Sequence, residues 1–121
     1  MSDVYINRVY FPPWGSTEGG DEIANYVILQ ANASLLIGTM YAVDTTVART
    51  LTLPPLAFQI PGSWILIQDL TGLALTNPIT INPYGSDEIN GVVSNSILFE
   101  RTSGSGRFIV GPGSLSWYLA T

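Results

Sequence analysis

The 121-residue sequence predicts an all-β fold: a small antiparallel β-sandwich or barrel-like domain over residues 26–121, preceded by an extended N-terminal arm. Three observations carry this expectation. Short apolar runs recur with turn residues about every 8–12 positions. Several of the runs alternate with a period of two, as half-buried strands do. The one stretch that tolerates a helix, residues 21–36, is interrupted by β-branched residues and asparagine. No strict internal repeat is present, so a solenoid is not expected.

The elements follow in order. In residues 1–25, "VYINRVYF" alternates weakly and meets "PPWG", a rigid break, after which "STEGGDE" reads as a flexible link. Tyr5, Tyr10, Phe11 and Trp14 gain by burial, which makes them candidate contacts to a partner surface or a neighbouring subunit. The same segment also suits the first strand of the core, since terminal strands are often tied into a sheet. Beyond it, "NYVILQA" and "SLLIGTMYAV" are apolar runs bounded by Asn, Ser and Gly. "RTLTLPP" places Leu51 and Leu53 on one face and stops at Pro54-Pro55, because proline donates no ladder hydrogen bond. "AFQIPGS" is a loop, and "WILIQD" is a continuous apolar run that predicts a strand covered on both faces. "PITIN", "SILFE", "RFIVG" and "LSWYLA" complete the set, the last with Leu115, Trp117 and Leu119 on one face.

Composition excludes several functions. The chain contains no Lys, His or Cys, so it has no disulfide, thiolate nucleophile, Cys/His zinc site or imidazole base. Its four basic residues, Arg8, Arg49, Arg101 and Arg107, are scattered in a chain of net charge −5, which argues against nucleic acid as a partner. Only 11% of residues are charged, where a soluble domain usually carries about 25%. Mean hydropathy is +0.31 in a chain of 13.0 kDa. A domain this small exposes much surface for its volume. Part of that surface is therefore expected to be covered by copies of the chain or by a larger partner. A membrane is not expected: Tyr26 to Val43 approaches the length of a span, but Gln30, Asn32, Ser34 and Thr39 interrupt it and no basic flank orients it. The N-terminus lacks the cationic-then-apolar order of a signal peptide.

The most patterned stretch is "DLTGLALTNPITINPYGSDEINGV", residues 69–92. Each special residue has a backbone task. Asp69 can accept amides two or three residues on, and Gly72 can take positive φ. Asn77-Pro78 launches an extended segment with Ile79 and Ile81 inward. Gly85 and Asp87 belong to a second turn, and Gly91 to a tight bend after Ile89. Asp69, Gly72, Asn77, Pro78, Gly85, Asp87 and Gly91 are thus expected as structural turn residues. Asp69, Asp87 and Glu88 lack the spacing of a calcium loop, and a hydrolytic pair drawn from them requires convergence that nothing in the sequence indicates. The glycine-rich "SGSGR" and "GPGS" read as hairpin connections. No catalytic residue, metal or cofactor is expected.

The series "GSWILIQDLTGLALTNPITINPYGSDEINGV", then "ILFERTSGSGRFIV", then "SWYLAT", resembles a module of tailed-bacteriophage virion structural proteins, found in head-decoration, head-fibre and tail-fibre proteins. The matching residues are Asp69, Gly72, Ala74, Asn77, Pro78, Ile79, Thr80, Ile81, Gly85, Asp87, Ile89, Gly91 and Trp117, and the resemblance covers about residues 45–121. Glu88 stands where the module often has a neutral polar residue, and the turn at 103–106 leads to "RFIV" rather than to an acidic turn. The resemblance implies an all-β, non-enzymatic and usually trimeric protein. The favoured expectation is a capsid decoration (cement) protein on the outer surface of the virion, with itself (as a homotrimer) and the major capsid protein as partners. The alternative is a tail-fibre or head-fibre module that binds a host receptor or glycan through Tyr84, Trp64 or Trp117, although both tryptophans lie within apolar strands and are expected in the core.

Overall fold

A computed structural model describes residues 4–10, 23–101 and 104–120, with side chains from residue 25 onward. Phe11 and Trp14 lie outside the described residues, as do the side chains of Tyr5 and Tyr10. The twelve strands are β1 (Val4–Tyr10), β2 (Ile23–Leu29), β3 (Ala33–Ser34), β4 (Thr39–Val43), β5 (Arg49–Thr52), β6 (Trp64–Asp69), β7 (Ile79–Asn82), β8 (Glu88–Ile89), β9 (Val92–Val93), β10 (Ile97–Phe99), β11 (Ser105–Val110) and β12 (Trp117–Ala120). The helical content of the described residues is two 3₁₀ turns, Leu56–Phe58 and Pro112–Ser114, and no helix among them is long and apolar enough to cross a membrane. The chain is all-β.

The strands form two mixed sheets, with the order β1-β2-β4-β6-β11-β12-β8-β9 in the large one and β10-β7-β5-β3 in the small one. Among the described residues neither sheet closes on itself. From β2 to β7 every connection crosses to the other sheet. β2, β4 and β6 consequently stack in parallel, and so do β3, β5 and β7. Among the described residues, antiparallel pairing joins β1–β2, β6–β11, β11–β12, β7–β10 and β8–β9. The expectation of an antiparallel fold is corrected here. Alternation in a sequence reports which face of a strand is buried, and the period of two is the same whichever way the neighbour runs. The three successive coils, β2–β3, β4–β5 and β6–β7, wind like a short solenoid without any repeat in sequence, because their connections differ in length.

The inward faces of both sheets share one hydrophobic cluster. Val27, Leu29, Tyr41, Val43, Ile65, Ile67, Phe108 and Trp117 come from the large sheet, and Leu51, Ile79, Ile81 and Phe99 from the small one. Full burial of each such aliphatic side chain contributes about 1.5–3 kcal/mol. Phe99 and Phe108 stack across the interior with ring centroids 6.1 Å apart. Leu51 and Leu53 are buried as the alternation of "RTLTL" requires, and Ile89 fills the core. Leu115 departs from expectation: it precedes β12 in the loop after the 3₁₀ turn and is exposed. "SGSGR" also departs. Ser105 and Gly106 already belong to β11, and the connection from β10 passes between sheets rather than closing a hairpin. "GPGS" does lie in the β11–β12 hairpin connection.

The connections gather at two ends. One end holds residues 35–38, 53–63, 83–87 and 111–116. The other holds residues 30–32, 44–48, 70–78, 100–101 and 104.

Candidate interaction surface

The stretch at 69–78 builds a closed polar knot. β6 delivers Asp69 inward at its last position, where it is buried. Its Oδ1 accepts the Gly72 amide at 3.0 Å and the Thr45 hydroxyl at 2.6 Å, and its Oδ2 accepts the Ala74 amide at 3.0 Å. The Leu73 amide donates to Thr45 Oγ1, and the Thr45 amide donates to Thr71 Oγ1. Asn77 donates through Nδ2 to the carbonyls of Thr45 and Thr46, and Pro78 offers its carbonyl to the Arg49 amide. Gly72 holds φ +75°, a backbone that side-chain-bearing residues avoid. The knot joins the β4–β5 and β6–β7 connections. Thr45 is the member that sequence reasoning did not find, since no local signal links it to a turn more than twenty residues on.

Asp87 has a separate task at the other end. Its Oδ2 accepts the Leu56 amide at 2.9 Å and so ties the β7–β8 turn to the β5–β6 loop. Gly85 and Gly91 take φ +56° and +78° in the turns on either side. Asp69 and Asp87 therefore stand at opposite ends of the fold and do not converge. Among the described residues no cluster of acids fit to hold a metal ion occurs. Asp44 is held below the usual carboxylate range, first by the Thr46 hydroxyl and then by the Thr46 amide, with a smaller contribution from Arg49 4.0 Å away.

The outer faces of the two sheets differ in kind. The small sheet presents Ser34, Thr50, Thr52, Thr80 and Asn82, a largely polar face, with Leu98 of β10 exposed beside Thr80. The outer side of the large sheet carries three rows across its strands: Ile28, Ala42, Gln68 and Ser105, of which Ala42 is fully buried; Tyr26, Met40, Leu66, Arg107 and Ala120; and Trp64, Ile109 and Tyr118. No acidic residue lies on this face in β2, β4, β6, β11 or β12. The one charge on this face within those five strands is Arg107, whose guanidinium lies over the Trp64 ring at 5.9 Å, and beyond β12 the face continues to Glu88 on β8. Such a pair is worth about 0.5–1 kcal/mol at an exposed site. Trp64 is thus not a core residue as the sequence suggested. Ile65 and Ile67 take the inward positions of β6, so alternation turns Trp64 and Leu66 outward, where they are half-buried. Trp117 is fully buried, which leaves no ring face for a sugar. At strand and residue spacings of about 4.8 and 3.3 Å, five strands by three rows measure roughly 400 Å², which is the scale of patch that marks interaction sites.

A second apolar region caps one end. Phe58 is 81% exposed, Ile60 73% and Leu115 73%, with Leu36 and Tyr84 also exposed in loops at this end. These loops are braced: Ser114 Oγ donates to the Gln59 carbonyl at 2.6 Å, and the Gly38 amide donates to the Trp64 carbonyl at 2.7 Å. Asp87 is the one charged residue in the connections gathered there, and Glu88 follows it at the start of β8. Tyr10 lies at the same end, opposite Ile23 at the start of β2. No protein-family model matches the chain, and no curated protein matches its sequence.

Proposed function

We propose that this chain is a bacteriophage capsid decoration protein, built as a β-sandwich, which acts as a homo-oligomer, in the simplest case a trimer, and binds the outer surface of the assembled head. The observation that carries the reading is the outer face of the large sheet. Across β2, β4, β6, β11 and β12 it is largely apolar and free of acids, and it is borne by a chain with too few charges to keep all its surface in water. Copies of a chain of net charge −5 repel one another over most of their surface, and this face is where they meet without repulsion. The resemblance of residues 45–121 to virion modules supplies the class of partner.

The braced loop end faces the lattice. Its exposed anchors Phe58, Ile60 and Leu115 are uncharged and sit on braced loops, and rigid aromatic anchors carry much of the energy of stable interfaces. Binding only the assembled lattice raises the stability of that state by mass action. No catalysis, metal or cofactor enters this function. Light scattering and co-sedimentation with cognate heads test the reading. An oligomer that pellets with heads and raises their disruption temperature is expected, with Phe58→Ser abolishing pelleting while leaving the oligomer intact. A monomer that ignores heads overturns the reading, and binding to host glycan instead favours the fibre alternative.

A further inference from the structure

We infer that β1 is exchanged between copies, so that the β2 edge of each large sheet is completed by the β1 of a neighbour; this rests on the homo-oligomer proposed above. β1 lies at the edge of the large sheet and pairs with β2 alone, from Val4↔Leu29 to Tyr10↔Ile23. Since Tyr10 and Ile23 are paired directly, a hairpin needs about two to five residues to join them. The sequence instead places residues 11–22 between them. A chain of that length, fully extended, reaches about 40 Å, which is more than the width of a domain this size. The length exceeds what a hairpin requires and suffices for β1 to reach a second copy.

Area supplies the second argument. A stable association covers about 800 Å² on each partner. The apolar face, at roughly 400 Å², provides about half of that. Strand exchange adds the seven-residue β1–β2 ladder to the interface at no loss of backbone hydrogen bonds, because the same bonds form between chains instead of within one. The geometry is continuous, since β2 also carries Tyr26 and Ile28 of the apolar face. Copies that meet through this face bring their β2 edges together.

The absence of native cysteine makes the test direct. Two double variants, Asn7→Cys/Tyr26→Cys and Arg8→Cys/Asn25→Cys, place thiols at neighbouring register pairs. One pair belongs to each of the two alternating classes of antiparallel pair, so at least one has the short separation that a disulfide needs. Each full-length variant is purified, its mass is measured by light scattering, and it is oxidised and run without reductant. The expected result is an oligomer whose chains become covalently linked to one another, with the links lost on reduction. Disulfides formed only within single chains of a confirmed oligomer overturn the exchange and leave the oligomer standing. Failure of both variants to cross-link while retaining the parent mass overturns the β1–β2 register and the exchange with it. A monomeric parent protein overturns both the exchange and the oligomer on which it rests.

Discussion

The Thr45 hydroxyl donates a 2.6 Å hydrogen bond to Oδ1 of Asp69, joining two connections that lie 24 residues apart in sequence. Thr45 Oγ1 also accepts the Leu73 amide, while the Asp69 carboxylate accepts the amides of Gly72 and Ala74. Neither residue has any water to fall back on: Thr45 is fully buried and Asp69 nearly so. The knot fixes how β4, β6 and their loops meet at this end of the fold.

Asp69→Ala strips three buried donors of their acceptor. Hydrogen bonds to a charged group contribute about 1.5–3 kcal/mol each, not additively, so a loss of about 3 kcal/mol or more is expected. Asp69→Asn retains one acceptor oxygen and loses about 1–2 kcal/mol. Urea denaturation checks this, with the midpoint falling in that order and the slope unchanged. An Asp69→Asn variant as stable as the parent contradicts the role assigned to the knot.

Gly106 faces inward on β11, and a β-carbon there lies 2.8 Å from Leu119 Cδ1 and 2.9 Å from Phe99 Cζ. The Phe99 ring is stacked on Phe108 and has little freedom to withdraw. Overpacking of this kind costs about 1–3 kcal/mol. Gly106→Ala is expected to lower the thermal midpoint, and a further Leu119→Ala to lose less stability in that background than in the parent. A double-mutant cycle measures the difference.

The two outer faces are expected to respond oppositely to charge. Leu66→Glu puts a carboxylate at the centre of the apolar face, where association would have to desolvate it. Thr80→Glu puts the same group on the polar face of the small sheet. Light scattering at matched concentration should show a smaller particle for Leu66→Glu and the parent mass for Thr80→Glu, while both keep the strand signature in circular dichroism. Equal masses for both variants remove the large sheet's outer face from the interface.

Burial raises the Tyr41 phenol above its ordinary value of 10.0, with smaller opposing contributions from the Leu36 amide and Thr39. Below pH 10 both folded and unfolded states hold the proton, so Tyr41 adds no pH dependence. As pH rises past 10, the unfolded state ionises first and stability falls until the folded pKa is reached. Tyr41→Phe should flatten that alkaline decline. At neutral pH it should cost about 1 kcal/mol, because the Leu36 amide loses the phenol oxygen it meets at 2.7 Å. Denaturant titrations at pH 8 and pH 11 separate the two effects.

Local chemistry made much of this molecule legible in its sequence. Asp69 and Gly72 announced their turn because a carboxylate reaches amides a few residues on and glycine tolerates positive φ, which are interactions that close within one loop. Ile79, Ile81, Leu51 and Leu53 announced their buried face because strand side chains alternate. Pairing was not legible: parallel and antiparallel strands share that alternation, so only the tertiary structure could place β4 between β2 and β6 and send each connection to the opposite sheet. The same limit hid Thr45 from Asp69 and turned Trp64 outward, since both depend on which distant segments come to lie side by side. The apolar run "WILIQD" nevertheless asked for cover on both faces of β6. Among the described residues the fold covers one, at Ile65 and Ile67, and leaves Trp64 and Leu66 on the other half-buried, because which segments come to lie over a strand is decided by the tertiary structure and not by the strand's own pattern.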